Sequence, residues 1–181
     1  MQIVLVGFMG CGKSTIGKKL AQQFNLDFFD LDVLIEKQYR KTTTEIIEKE
    51  SIWNFRRKEN AELIKFFNLN DNYILATGGG TPCFFDNNEL ILSQALSIYM
   101  KVDYMELFRR LRYNKRPLLT PYTPDERLGF IHELLELREP YYKKALLTIE
   151  ANNIIHFNFS KAVEDIKISW KNYSNKKGSP C

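Results

Sequence analysis

The chain has 181 residues, 44% of them hydrophobic and 27% charged, which suits one domain with a real core and argues against disorder. Its net charge of +4 is mild, and a pocket for polyanionic small molecules uses the same arginines as a nucleic-acid surface. Three scattered cysteines, Cys11, Cys83 and Cys181, odd in number and without a CxxC pair, argue against a disulfide framework or a zinc site and fit reduced thiols in a cytoplasmic protein.

The opening MQIVLVG lacks the basic leader of a signal peptide, and no apolar run approaches the roughly 20 residues of a membrane span. IVLV (3–6) reads as a buried strand, and the segment 14–24 as a helix with Ile16, Leu20 and Phe24 on one face. DFFD (27–30) is a second strand, followed by a helical pattern over 31–39. Thr42 with Glu45 three residues later is a capping-box pattern for a helix over 42–50, and helical spacing continues over 55–67. Strands follow at 73–77, 95–102 and 146–151, with helical patterns at 86–94, 103–112, 125–138 and 160–171. This alternation predicts an α/β fold, a five-stranded parallel sheet with helices on both faces. The stretch 113–129 breaks the pattern with three prolines and reads as an active-site loop, and 171–181 as a polar, flexible tail.

GFMGCGKST (7–15) fits G-x-x-x-x-G-K-[ST] with a strand before it and a helix after it. Glycines let the backbone aim N–H groups at phosphate oxygens, Lys13 reaches the β- and γ-phosphates, Ser14 offers a hydroxyl to Mg2+, and the helix start adds positive potential. Cys11 reads as a small filler within this loop. A guanine-reading N-K-x-D element is missing, since Asn114-Lys115-Arg116-Pro117 lacks the aspartate.

Four further features concern the acceptor. In DLD (30–32) two carboxylates separated by one residue point the same way if the segment is extended, one toward a metal and one toward a hydroxyl; the same pair also suits a helix cap. In NFRRKE (54–59) Arg56 and Glu59 share a helical face, so the carboxylate can fix the guanidinium, as in an ordinary surface pair. ATGGGTP (76–82) places Gly78, Gly79 and Gly80 at a strand's carboxyl end, where open α/β sheets bind ligands. KRPLL (115–119) and REPYY (138–142) supply two more arginine elements; Tyr141 and Tyr142, following Pro140, read as core rather than pocket.

In this order the motifs GFMGCGKST, DLD, FRRKE, TGGG, RRL, KRPLL and REPYY resemble the shikimate kinase family from about Gln2 to about Trp170. The resemblance implies a three-layer P-loop fold like that of nucleoside monophosphate kinases. It covers 1–170 as one kinase domain, with a shikimate-binding region at about 31–62 and a mobile lid at about 112–126. It implies transfer of the ATP γ-phosphoryl group to the 3-hydroxyl of shikimate, with Mg2+ as cofactor, ATP and shikimate as partners, and a monomer that engages neither nucleic acid nor membrane. Carried over by position, Gly10, Cys11, Gly12, Lys13, Ser14 and Thr15 hold the phosphates, and Ser14 and Asp30 serve the metal. Asp32 takes the proton of the accepting hydroxyl, and Arg56 and Arg138 grip the carboxylate. Gly78, Gly79 and Gly80 meet substrate hydroxyls, Arg116 closes over the phosphates, and Arg110, with Arg109 as substitute, stacks on adenine beside Asn152. The chain departs from the family pattern at Arg40, where glycine is usual, at Ile47, where an aromatic is usual, and at Ser51-Ile52, where Gly-Glu is usual, followed by Trp53. The span from Arg116 to Arg138 is also longer, through a larger lid or an added helical turn. Two other readings remain open: a P-loop kinase for gluconate or a nucleoside monophosphate, and a nucleotide-binding module without turnover.

Overall fold

A computed structural model describes residues 1–114 and 116–178; Lys115 of the KRPLL motif and residues 179–181, with Cys181, lie outside the described residues. Five strands form one parallel sheet: β1 (Gln2–Val6), β2 (Asp27–Asp30), β3 (Tyr73–Ala76), β4 (Leu96–Lys101) and β5 (Leu147–Glu150), in the order β2-β3-β1-β4-β5. The central β1 has Ile3, Val4 and Leu5 fully buried, the continuous apolar run expected of a strand covered on both faces. Each such side chain contributes roughly 1.5–3 kcal/mol by leaving water. The edge strands β2 and β5 are only partly buried, and their sequences are correspondingly more polar.

The helices are α1 (Lys13–Phe24), α2 (Leu31–Tyr39), α3 (Thr43–Lys49), α4 (Ile52–Leu69), α5 (Asn87–Gln94), α6 (Tyr104–Leu111), α7 (Arg127–Tyr142) and α8 (Phe159–Gly178). From β1 the chain steps in one direction to β2, then returns through β3 to β4 and β5. Right-handed crossovers therefore put α1 on one face and the helices of the return path on the other. α8 packs beside α1, while α4 and α5 pack together.

Local chemistry explains most helix boundaries. Thr42 and Glu45 form the expected capping box, with Glu45 N–H donating to Thr42 Oγ1 at 3.1 Å and Thr42 N–H to Glu45 Oε2 at 2.9 Å. α4 begins at Ile52, earlier than the expected 55, because Ser51 Oγ accepts from Asn54 N–H at 3.2 Å and caps it. Two helices outrun the sequence expectation. α7, expected to stop at 138, continues through Pro140 to Tyr142, whose fully buried ring packs 5.4 Å from that of Tyr99. α8, expected over 160–171, runs to Gly178, so the segment set aside as a flexible tail is helical over its described part; the Trp170 and Tyr173 rings meet at 5.5 Å against the core. Among the described residues no helix is long and apolar enough to cross a membrane.

Candidate active site

The strand order reverses between β1 and β3, so the loops leaving their carboxyl ends lie side by side, where open α/β sheets bind ligands. β1 pairs with β3 up to Leu5 and Ala76, and both the N–H and the Oγ1 of Thr77 donate to Leu5 carbonyl, at 3.1 and 3.0 Å. The phosphate loop after β1 and the triple-glycine loop after β3 are thereby fixed to each other.

Gly10, Gly12, Lys13, Ser14 and Thr15 line a cavity of about 260 Å³. Gly12 caps α1 with a φ of 100°, a left-handed conformation that glycine adopts without penalty. Lys13 Nζ is folded back on the loop, donating to the carbonyls of Gly7 and Phe8 at 2.8 and 2.9 Å. The ammonium is thus held at the cavity by partners that a phosphate oxygen can replace. Of the six loop residues expected to hold the phosphates, Cys11 is the one that does not line the cavity. Its side chain is buried behind the loop, near Lys13 Nζ at 3.5 Å, and its N–H closes the turn on Phe8 carbonyl at 3.3 Å. The filler role fits; direct phosphate contact by this residue does not.

The DLD segment departs from the extended geometry the sequence suggested. Asp30 ends β2, and Leu31 and Asp32 already belong to α2, so a strand–helix junction brings the carboxylates together. Asp30 Oδ1 accepts from Asp32 N–H at 3.1 Å, the helix cap the sequence allowed, and its Oδ2 accepts from Ser14 Oγ at 2.5 Å. A hydroxyl and a carboxylate oxygen so placed beside the phosphate loop are the hard donors that Mg2+ prefers.

A second cavity of about 540 Å³ holds Arg56, Arg138, Gly80, Ile47, Phe55 and Leu118. Arg56 is 4% exposed and pairs with the fully buried Glu59 at 2.6 Å, the i,i+3 lock read from sequence; it is a buried pair, not a surface one. Glu59 is itself held by Thr81 Oγ1 at 2.6 Å. Thr81 carbonyl accepts from Asn87, whose Oδ1 accepts from Asn60 at 2.7 Å. The Arg56 guanidinium carbon lies 4.6 Å from the Phe84 ring centre, and its Nε has no hydrogen-bond partner among the described residues. A charged donor left unpaired in a buried pocket calls for an anion. The guanidinium is so close to Gly80 that a β-carbon there would collide with it.

The two cavities meet. Met9, Asp32, Gly78, Gly79 and Arg116 line both. Asp32 has its pKa raised from 3.8 to about 6, first by burial and then by Asp30 and Glu59, with Lys13 and Arg116 opposing. Near neutral pH it is ionised and poised to accept a proton. Arg116 is exposed, and Pro117 and Leu118 beside it cover the second cavity.

A sequence model of the family described as Shikimate kinase matches residues 9–167. The chain belongs to the shikimate kinase family. It is 40% identical over 156 residues to a shikimate kinase of Parabacteroides distasonis, covering 85% of this chain and 90% of that protein. The crystal structure of shikimate kinase from Bacteroides thetaiotaomicron superposes with a TM-score of 0.84 at 34% identity, covering 93% of this chain and 97% of that one. Shikimate kinase from Acinetobacter baumannii in complex with shikimate gives 0.80 at 33% identity, covering 96% and 93%.

Membership in the shikimate kinase family gives the departures noted in the sequence a physical meaning. Arg40 has a φ of 53° at the end of α2, and Ser51 a φ of 142° before α4. Both are backbone positions that favour glycine, the residue usual in shikimate kinases there. Ile47 lines the second cavity, while Trp53 lies outside it, edge-on to Phe84 at 5.9 Å. Arg110 is held by Glu106 at 2.6 Å and donates to the carbonyls of Gly10, Ala151 and Asn152. Arg109 also grips Glu106, whose carboxyl it and then Arg110 hold down at about 2, but its side chain is 74% exposed. Both arginines line the same groove as Asn152, whose side-chain oxygen is taken up by Asp103 N–H at 2.7 Å.

Sequence reading missed Arg127, and of the tyrosine pair it read as core, Tyr142 is fully buried while Tyr141 is exposed. Arg127 is buried and donates to the carbonyls of Leu111, Arg112, Asn114 and Tyr122, tying both ends of the segment between α6 and α7 together. The added length before α7 is a turn closed by Thr123 and Glu126, whose Oε2 accepts from Thr123 N–H at 2.8 Å. No local pattern marks Arg127, because all its partners are main-chain oxygens.

Proposed function

We propose that this enzyme transfers the γ-phosphoryl group of MgATP to the 3-hydroxyl of shikimate, giving shikimate 3-phosphate and ADP. The observation that carries this reading is the meeting of the two cavities at Asp32, Gly78, Gly79 and Arg116, with Arg56 and Arg138 in the outer one. The outer cavity suits a ring with one carboxylate and several hydroxyls: two buried guanidiniums for the acid and glycine amides with an aspartate for the alcohols. The region 31–62 acts as the acceptor-binding region and 112–126 as the lid.

Phosphoryl transfer has a loose transition state, so the protein chiefly positions the reactants and neutralises charge. Arg56 and Arg138 fix the carboxylate end, which aims one hydroxyl at the junction of the cavities. Asp32 accepts the proton of that hydroxyl. Lys13, released from the loop carbonyls, and Arg116 meet the growing charge on the phosphoryl oxygens. Ser14 and Asp30 would hold Mg2+, which supplies further neutralisation of the phosphates when bound. Pro117 and Leu118 cover the acceptor and keep water from competing for the phosphoryl group.

A coupled assay of ADP release from MgATP with shikimate, gluconate and AMP tests the reading. Turnover with shikimate is expected to exceed that with the other two by at least about 10³, since a site built for hydrogen-bonding groups strongly rejects acceptors that leave them unpaired. Comparable turnover with gluconate or AMP, or none with shikimate, would overturn it.

A further inference from the structure

The extension of α7 past Pro140 puts Tyr142 one helical turn beyond Arg138 on the same face of the helix. Its side chain is fully buried, yet its hydroxyl is satisfied: it donates to Gly79 carbonyl, and the Arg138 guanidinium acts on it electrostatically from one turn earlier on the helix. Gly79 in turn lies hard against the phosphate loop, so that a β-carbon there would stand 2.8 Å from Met9 N. A continuous path of close contacts therefore runs from the carboxylate grip at Arg138, through Tyr142 and Gly79, to the phosphate cradle at Met9. The same turn is tied in from α5 as well, since Asn88 donates to Tyr141 carbonyl at 3.3 Å.

We infer that the Tyr142 hydroxyl is a positioning residue for phosphoryl transfer: it fixes the Arg138 guanidinium relative to the Gly79 loop and so sets the separation between the acceptor's carboxylate grip and the phosphate loop. A hydroxyl is suited to this because it donates its one proton to the Gly79 carbonyl and keeps lone pairs that a neighbouring cation favours. Burial holds its pKa well above the ordinary value of 10.0, so it remains a donor across the working pH range. Without it, Arg138 keeps its charge but loses its fixed direction, and Gly79 carbonyl is left unpaired in the interior. Misplacement of about 1 Å between reacting groups can cost on the order of 10² in rate.

The inference rests on the shikimate kinase reading, and the experiment separates the two. Tyr142→Phe removes only the hydroxyl and keeps the ring packed on Tyr99. Steady-state kinetics should show kcat/KM for shikimate lowered by about 10- to 100-fold, with KM for ATP within about twofold of the parent. In an Arg138→Ala background the same change should cost less than about threefold, because the two groups act as one unit. Replacement of Tyr142 by p-aminophenylalanine, which restores a donor in place, should recover most of the loss; this variant carries the test if Tyr142→Phe proves too unstable to assay. A kcat/KM for shikimate within twofold of the parent in Tyr142→Phe, full additivity with Arg138→Ala, or equal loss for both substrates would overturn the inference. Failure of the parent enzyme itself to phosphorylate shikimate would instead overturn the functional reading.

Discussion

At the scale of the residue, Asp32 illustrates how a functional position opposes stability. A rise in pKa from 3.8 to about 6 corresponds to about 3 kcal/mol of unfavourable ionisation in the folded state. The folded form binds this proton more tightly than the unfolded chain, so the penalty is absent below about pH 4, develops as pH rises toward 6, and is complete above it. Asp32→Asn is therefore expected to unfold at higher temperature than the parent at pH 7.5, with the gap closing toward pH 4. Its turnover should fall by about 10²–10⁴ while MgADP affinity is kept. Thermal melts at several pH values, with kinetics beside them, check both halves. In the parent, kcat should decline below about pH 6 with a slope of one. Unchanged turnover would mean that Asp32 only extends the cap of α2. The aspartate was legible in the sequence, but its neighbourhood was not. Glu59, which raises its pKa, arrives from α4, and the buried Thr81–Asn87–Asn60 chain behind Glu59 has no local signature.

At the scale of the element, the ends of helices carry most of what sequence reading got right and wrong. Thr42 with Glu45 announced α3 because a capping box is local chemistry. The continuation of α7 past Pro140 was not legible, since the stabilisation comes from Tyr142 packing on Tyr99, forty-odd residues away in the chain. The same holds for α8, whose polar surface resembles a loose tail until Trp170 and Tyr173 are seen against the core. Ser51 gives the sharpest element-scale expectation. Its φ of 142° and ψ of 163° place a side chain in a region that costs of order 1–3 kcal/mol, offset in part by the cap its hydroxyl makes on Asn54. Glycine at an N-cap loses only a few tenths of a kcal/mol relative to serine. Ser51→Gly should thus stabilise the enzyme by about 1 kcal/mol, raising Tm by about 2–4 °C, whereas Ser51→Ala should lower it. Differential scanning calorimetry distinguishes these outcomes, and a drop in Tm for Ser51→Gly would show that the serine's cap outweighs its strain.

At the scale of the whole molecule, the strand order does the placing. Reversal at β1 sets two glycine loops edge to edge, one from the GFMGCGKST motif and one from TGGG, and the junction at β2 adds the two aspartates. This much was legible, because alternation of apolar runs and amphipathic segments fixes a parallel sheet and such sheets bind at their carboxyl ends. The long-range ties were not: Arg127 to the segment between α6 and α7 and Tyr142 to Gly79 join backbone oxygens to side chains that no spacing rule connects. The central claim is geometric, that two cations from α4 and α7 hold the acid end of the acceptor while Asp32 faces the alcohol to be phosphorylated. A crystal structure of the enzyme with shikimate and MgADP tests it most directly. The expected density has the shikimate carboxylate between Arg56 and Arg138 and its 3-hydroxyl within hydrogen-bond reach of Asp32. A carboxylate bound elsewhere, with no anion between the two guanidiniums, would contradict it.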